Sequence, residues 1–168
     1  MSIRRIIVCL CMIIAVSMPL TVKASNEGNR LATLKESEIY RLDPEEAKRI
    51  HLKALQDQGI SPMSDLAMST VRISKGDNTI YVTCYTGSRK IADKIGVRNF
   101  IFQAKSGLFW ETKKVTSGYL ENTDAYYDGF YMTNPKVGTQ YRAECIHYCI
   151  INGVETSGYN ETAPYTYQ

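Results

Sequence analysis

Cys145, His147 and Cys149 alternate along one apolar run, and thiols and an imidazole at that step suggest zinc before anything else. On a strand all three share a face, but the four-residue step from Cys145 to Cys149 covers about 13 Å. Zinc–sulfur bonds are only about 2.3 Å long, so a straight strand does not bring both sulfurs to one ion, and no metal is expected there. The same span excludes a Cys145–Cys149 bridge, which needs Cα atoms within about 7 Å. Cys84 with Cys145 is the disulfide candidate, because it would tie together two core strands of a sandwich. In the alternative reading all three thiols are small buried hydrophobes. His147 then reads as a buried imidazole hydrogen-bonded to a neighbouring strand.

His51 is the second of only two histidines. Nucleophilic catalysis needs a base in an accessible cleft with an orienting partner, and a mid-strand His147 is poorly placed for that. There is no G-x-S-x-G elbow, no phosphate loop and no dinucleotide fingerprint. Glu111, Glu121, Asp124, Asp128 and Glu144 supply carboxylates, but glycoside cleavage also needs a sugar-binding cleft, which a small sandwich seldom provides. No catalytic residue and no cofactor are therefore expected, and a small hydrolase is the remote alternative. Within 121–129, Asn122, Asp124 and Asp128 form the calcium candidate, without the EF-hand spacing.

Trp110, Tyr126 and Tyr127 are the candidate ligand contacts, since surface aromatics offer rigid area with one polar handle. Tyr85, Tyr119, Tyr159 and Tyr165 are also expected near loops or on outward faces. The competing reading is that tyrosine fills half-buried strand positions, where its β propensity is high. Tyr141 is expected to pack a corner at the start of its strand.

The elements that must hold these residues are legible in outline. Asp43, Pro44 and Glu46 make a cap-like start, and Ala47, Ile50, Ala54 and Leu55 recur at helical spacing with His51 on the same stripe. Gly59 and Pro62 close the pattern, so a helix is predicted over 44–58 within an otherwise flexible lead-in, 25–67. From 68 to 168 the pattern is of strands. Ile80, Val82 and Cys84 alternate with Tyr81, Thr83 and Tyr85. In 97–104, strict alternation puts Phe100, Phe102 and Ala104 on one side and Val97 and Ile101 on the other. Ser106-Gly107 turns into 108–115; 130–133, 141–151, a strand from Val154 and 163–167 follow. Asn152-Gly153 is a strong hairpin signal. About seven short strands with no intervening helix predict a mostly β, antiparallel, immunoglobulin-like sandwich, with a closed barrel as the rival.

Residues 1–24 have the form of a secretory signal: Arg4 and Arg5, an apolar run from Ile6 to Val16, then Val22-Lys23-Ala24, with Ser25 as the new N-terminus. The apolar run is shorter than the roughly 20 residues a membrane span needs. The whole chain carries 20 Lys and Arg against 17 Asp and Glu. Three of those cations and no acid lie in the signal, which leaves 17 against 17 in the 144 residues beyond it. That even balance predicts no nucleic-acid partner and no membrane contact beyond the signal. A monomer is expected.

Several stretches carry a resemblance: Ile80-Tyr81-Val82-Thr83-Cys84, Ala92-Asp93-Lys94-Ile95-Gly96-Val97 and Tyr141-Arg142-Ala143-Glu144-Cys145-Ile146-His147-Tyr148. It continues through Asn152-Gly153-Val154-Glu155 and Asn160-Glu161-Thr162. On these residues the chain resembles a family of small secreted proteins of Gram-positive gut bacteria, a domain of unknown function. The resemblance implies an immunoglobulin-like extracellular module and brings no catalytic residues with it. The expected function is a non-enzymatic, secreted module that contacts a protein or glycan at or outside the cell surface. The alternative is a carbohydrate-binding domain with an aromatic platform around Trp110.

Overall fold

Asp43 accepts a hydrogen bond from the Glu46 backbone N–H at 2.9 Å, so the cap chemistry read from the sequence is what starts the helix. A computed structural model describes residues 37–57 and 69–168 of the chain. The expected export signal, Ser25, Gly59 and Pro62 lie outside the described residues. In chain order the elements are β1 (Ile39–Arg41), α1 (Pro44–Gln56), β2 (Ser69–Gly76), β3 (Thr79–Ser106), β4 (Phe109–Thr133), β5 (Gln140–Ile151), β6 (Val154–Glu161) and β7 (Tyr165–Thr166). Every strand pairing is antiparallel. Among the described residues no helix is long and apolar enough to cross a membrane.

β3 and β4 are much longer than ordinary strands, with 28 and 25 residues, and they form one hairpin folded over on itself. The first part of β3, Thr79–Gly87, pairs with β2 on one edge and with Ala125–Thr133 of β4 on the other; β1 extends that layer beyond β4. The later part, Ala92–Ser106, pairs with Phe109–Thr123 and with β5, which in turn pairs with β6 and β7. The fold-over sits where Gly87 pairs with Ala125 and Ala92 with Thr123, so Ser88 to Ile91 stand opposite Asp124 alone. A bulge of this size bends a strand sharply. The result is a two-layer antiparallel sandwich whose layers share two continuous strands.

Two expectations are corrected by this arrangement. The runs 80–85 and 97–104 are one strand, as are 108–115 and 130–133, because the residues between them make bulges and not turns. An immunoglobulin domain instead sets two separate sheets face to face through Greek-key connections. Here β2–β3, β3–β4 and β5–β6 are joined by two-residue hairpins, and the shared strands replace the crossing connections. Residues 39–41, expected in an irregular lead-in, form edge strand β1 against β4.

The core lies between the layers. Ile80, Val82, Cys84, Phe130 and Met132 come from the first layer, and Ile95, Val97, Phe100, Phe102, Tyr141, Ala143 and Cys145 from the second. Phe130 meets Phe100 and Phe102 with ring centroids 4.9 and 5.5 Å apart. Val97 and Phe100 face the same core, contrary to strict alternation. A bulge at Arg98 and Asn99 places two β3 residues opposite Ser117 and resets the period by one.

The outer face of the first layer is covered as well. α1 lays Ala47, Ile50 and His51 onto it, where Tyr81, Tyr127 and Tyr131 are packed. The fully buried His51 shares hydrogen bonds with Thr83 at 3.0 Å and Thr70 at 2.9 Å, and its ring contacts Tyr85 and Tyr127. Burial holds its pKa down, from 6.5 to about 4, with Arg72 and His147 adding repulsion. The imidazole is therefore a neutral, two-ended hydrogen-bonding peg that seats the helix.

Candidate functional site

The most reactive group of side chains is sealed inside. Thr86 Oγ1 lies 2.7 Å from His147 Nδ1, and His147 Nε2 lies 3.1 Å from Cys145 Sγ. Thr86 donates to the Gly96 carbonyl at 3.2 Å, so its oxygen is left to accept the Nδ1 proton and Nε2 to accept from the thiol. Cys84 stands in side-chain hydrogen-bond contact with Cys145; that contact and the His147 bond pull the Cys145 pKa down, while burial pushes Cys84 up. This is the chemistry of an activated thiol, but Cys84 and Cys145 are fully buried and His147 nearly so. A small cavity of about 160 Å³ between β2 and β6 is lined by Thr86, His147 and Cys149 and not by Cys145. Cys84, Cys145 and Cys149 are all free thiols, so the candidate bridge appears as two adjacent, unbridged partners.

The calcium candidate does not assemble. Asp128 is only 3% exposed and its oxygens are already taken: Arg41 donates from Nε at 3.2 Å and Nη2 at 2.9 Å, Tyr126 from its hydroxyl at 2.9 Å, and Gly129 N–H at 2.8 Å. Asn122 and Asp124 sit exposed along β4, away from that closed cluster. Among the described residues no three His, Cys, Asp or Glu side chains converge as metal ligands. The other carboxylates are engaged separately: Glu111 with Lys113, Glu121 with Lys94, and Glu144 with the Tyr159 hydroxyl.

The aromatic candidates divide. Tyr126 is buried, correcting its expected outward position, because its hydroxyl is needed by Asp128. Tyr127 is half-buried beneath α1, stacked on Tyr85 at 4.7 Å, and burial pushes its pKa up to about 12. It serves helix docking. Trp110 remains half-exposed on the outer face of the second layer, but the Arg142 guanidinium lies 4.5 Å from its ring centroid, with Lys105 at 6.0 Å. One face of the indole therefore carries a cation.

One end of the sandwich gathers several lysines and exposed apolar side chains. A cleft of about 780 Å³ opens between the layers there, lined by Lys105, Lys113, Lys114 and Lys136 and by one carboxylate, Glu111. Among the described residues, Lys113 is the one of these four lysines that is ion-paired, with Glu111 at 2.8 Å. Tyr141 positions the far wall: its hydroxyl accepts the Lys136 backbone N–H at 2.9 Å, which pins the β4–β5 loop. The near wall is the tip of the β3–β4 hairpin, where Gly107 turns the chain with φ of 60°. Leu108 and Phe109 project from this tip, 91% and 78% exposed, and Val137, beside Lys136, is 71% exposed.

Sequence reading missed this site because its parts lie apart along the chain, from 105 to 137. A signal was present nonetheless. Gly107-Leu108-Phe109-Trp110 places apolar residues in a turn, where polar ones belong, and the Lys113-Lys114 pair follows at once. No family model, no curated protein and no solved structure matches the chain, so the site is read from its own geometry.

Proposed function

We propose that the chain is an exported, non-enzymatic contact module, and that it works through the lysine-lined end of the sandwich on an acidic surface at or outside the cell. The observation that carries this reading is a contrast in exposure. Cys84, Cys145, both histidines and Asp128 are buried and hydrogen-bonded, whereas four lysines line a cleft at one end and Leu108, Phe109 and Val137 are exposed beside it. A site with several cations and almost no matching acid suits a multivalent anionic partner, attracted from a distance and held by many weak contacts. The signal-like N-terminus and the resemblance to secreted Gram-positive proteins support the extracellular setting.

A second reading keeps Trp110 as a sugar platform. It is favoured by the half-exposed indole on an open sheet face, with Gln103 and Gln140 held nearby through Arg142 and Lys105. An array of acidic and neutral glycans separates the two. Retention on acidic members, lost when Lys113, Lys114 and Lys136 are changed together to Gln and kept in Trp110→Ala, is the expected outcome. Retention on neutral members that vanishes in Trp110→Ala would favour the platform instead.

A further inference from the structure

We infer that the Gly107–Trp110 hairpin tip inserts into the interfacial zone of an anionic lipid bilayer while Lys105, Lys113, Lys114 and Lys136 lie against its headgroups. This rests on reading the lysine-lined end as the contact surface, and it names the partner.

Three features choose a bilayer over a glycan or a protein. Leu108 and Phe109 project almost fully exposed at the apex of a two-residue turn, and Val137 is exposed beside Lys136, whose loop forms the facing wall of the same cleft. Leu108 and Val137 are aliphatic and offer nothing to a sugar, which is recognised by flat aromatic faces together with planar hydrogen-bonding groups, and Phe109 at the apex has no such polar group beside it. A protein partner is also poorly matched, because two or three protruding residues fall far short of the roughly 800 Å² per side that a stable protein contact buries. A bilayer has no such requirement. Its hydrocarbon boundary accepts a few apolar side chains to a depth of about 5–10 Å, and its anionic headgroups accept the cations around them.

The second feature is the order along the chain. Apolar Leu108 and Phe109 form the apex, Trp110 follows, and Lys105, Lys113 and Lys114 flank them at the next level. Tryptophan is enriched where hydrocarbon meets headgroups, and lysines just beyond it reach the phosphates. The third feature is charge: four lysines and one carboxylate line the cleft, and that carboxylate is held by Lys113. The exposed tip at the β5–β6 hairpin supplies the contrast. Val154 is 67% exposed there but is followed by Glu155, which is paired with Arg98, and it has no comparable group of lysines.

Trp110 is the only tryptophan in the chain, and it lies two residues from the apex, so it reports insertion directly. The exported chain is mixed with phosphatidylcholine vesicles and with vesicles that also contain phosphatidylglycerol, and binding is read by co-sedimentation and by Trp110 emission. The expected result is binding at least about ten-fold stronger to the anionic vesicles, with a blue shift of the emission. Leu108→Asp with Phe109→Asp should abolish the shift and weaken binding about ten-fold or more, and changing the four lysines to Gln should remove the preference for anionic vesicles. Val154→Asp, at the other exposed tip, should bind like the unaltered chain. Equal binding to both vesicle types, or undiminished binding by the tip variant, overturns the inference. Failure to bind vesicles, together with lysine-dependent retention on acidic glycans, overturns the bilayer and leaves the contact surface standing. Indifference of every acidic probe to the lysine changes overturns both.

Discussion

His51 shows how a single side chain can set the pH range in which the molecule keeps its shape. Its ring is fully buried between α1 and the first layer, with both nitrogens occupied by Thr70 and Thr83. The neutral form is the one the site accepts, and burial lowers the pKa from 6.5 to about 4. In the unfolded chain the imidazole takes up a proton near pH 6.5, while in the folded chain it does so only near pH 4. The stability His51 contributes is therefore complete above about pH 6.5, and it is lost progressively as the pH falls towards 4. Urea unfolding should show the free energy dropping by about 1 kcal/mol between pH 7 and 5.5 from this group alone. His51→Gln, which keeps a donor and an acceptor for the two threonines, should flatten that slope whatever it does to the absolute stability. An unchanged slope in the variant would place the acid sensitivity elsewhere.

The cysteines give a second residue-scale test. Cys84 and Cys145 touch across the core as free thiols, and both are shut away from reagent. The folded chain without residues 1–24 should leave these two thiols unreacted with a thiol-specific dye, and unfolding without reductant should release three. A count of one would mean that the Cys84–Cys145 bridge forms. A count of five would mean that the segment bearing Cys9 and Cys11 is present, because those two cysteines lie in the apolar run of the expected leader.

At the scale of elements, what the sequence made legible was whatever is decided within a few residues. The α1 start is local cap chemistry, and Asp43, Pro44 and Glu46 occupy the positions expected of them. The Asn152-Gly153 turn is also local: both residues have positive φ, 52° and 75°, as a two-residue hairpin of this kind requires. The lengths of β3 and β4 were not legible. Gly87-Ser88-Arg89-Lys90 and Arg98-Asn99 have the composition of turns, yet the ladder to β4 resumes beyond each. Asparagine carries much of this ambiguity. Among the described residues, all five non-glycine residues with positive φ are asparagines (Asn78, Asn99, Asn122, Asn134 and Asn152), and only some of them close a hairpin. An asparagine in that conformation bends the chain; whether the strand ends there depends on what pairs next, which is a tertiary matter. The tyrosines were misplaced for the same reason. Tyr126 and Tyr127 alternate like any strand pair, but one is claimed by the buried Asp128 and the other by the helix.

The lysine-lined end became visible only at the scale of the whole molecule. An even count of charges beyond the expected leader says nothing of where those charges lie, and the fold brings four lysines around one cleft. The same architecture makes the two layers depend on one another. Because β3 and β4 each run through both layers without interruption, neither layer can lose its pairing without disturbing strands that the other layer is built on. Unfolding should then be a single cooperative event. Val82 belongs to the first layer and Trp110 to the second, so Val82→Ala tests the coupling from a distance. The truncation leaves a cavity in the core between the two layers, and it should cost about 1–3 kcal/mol, which is roughly 1 M in the urea midpoint for a domain of this size. If the layers are one unit, Trp110 fluorescence and far-ultraviolet circular dichroism should shift together by that amount. Phe102→Ala, in the second layer, should move both probes further, by about 3–5 kcal/mol. A Trp110 transition that ignores Val82→Ala would show that the fold-over at Ser88 to Ile91 acts as a hinge between two independently stable sheets.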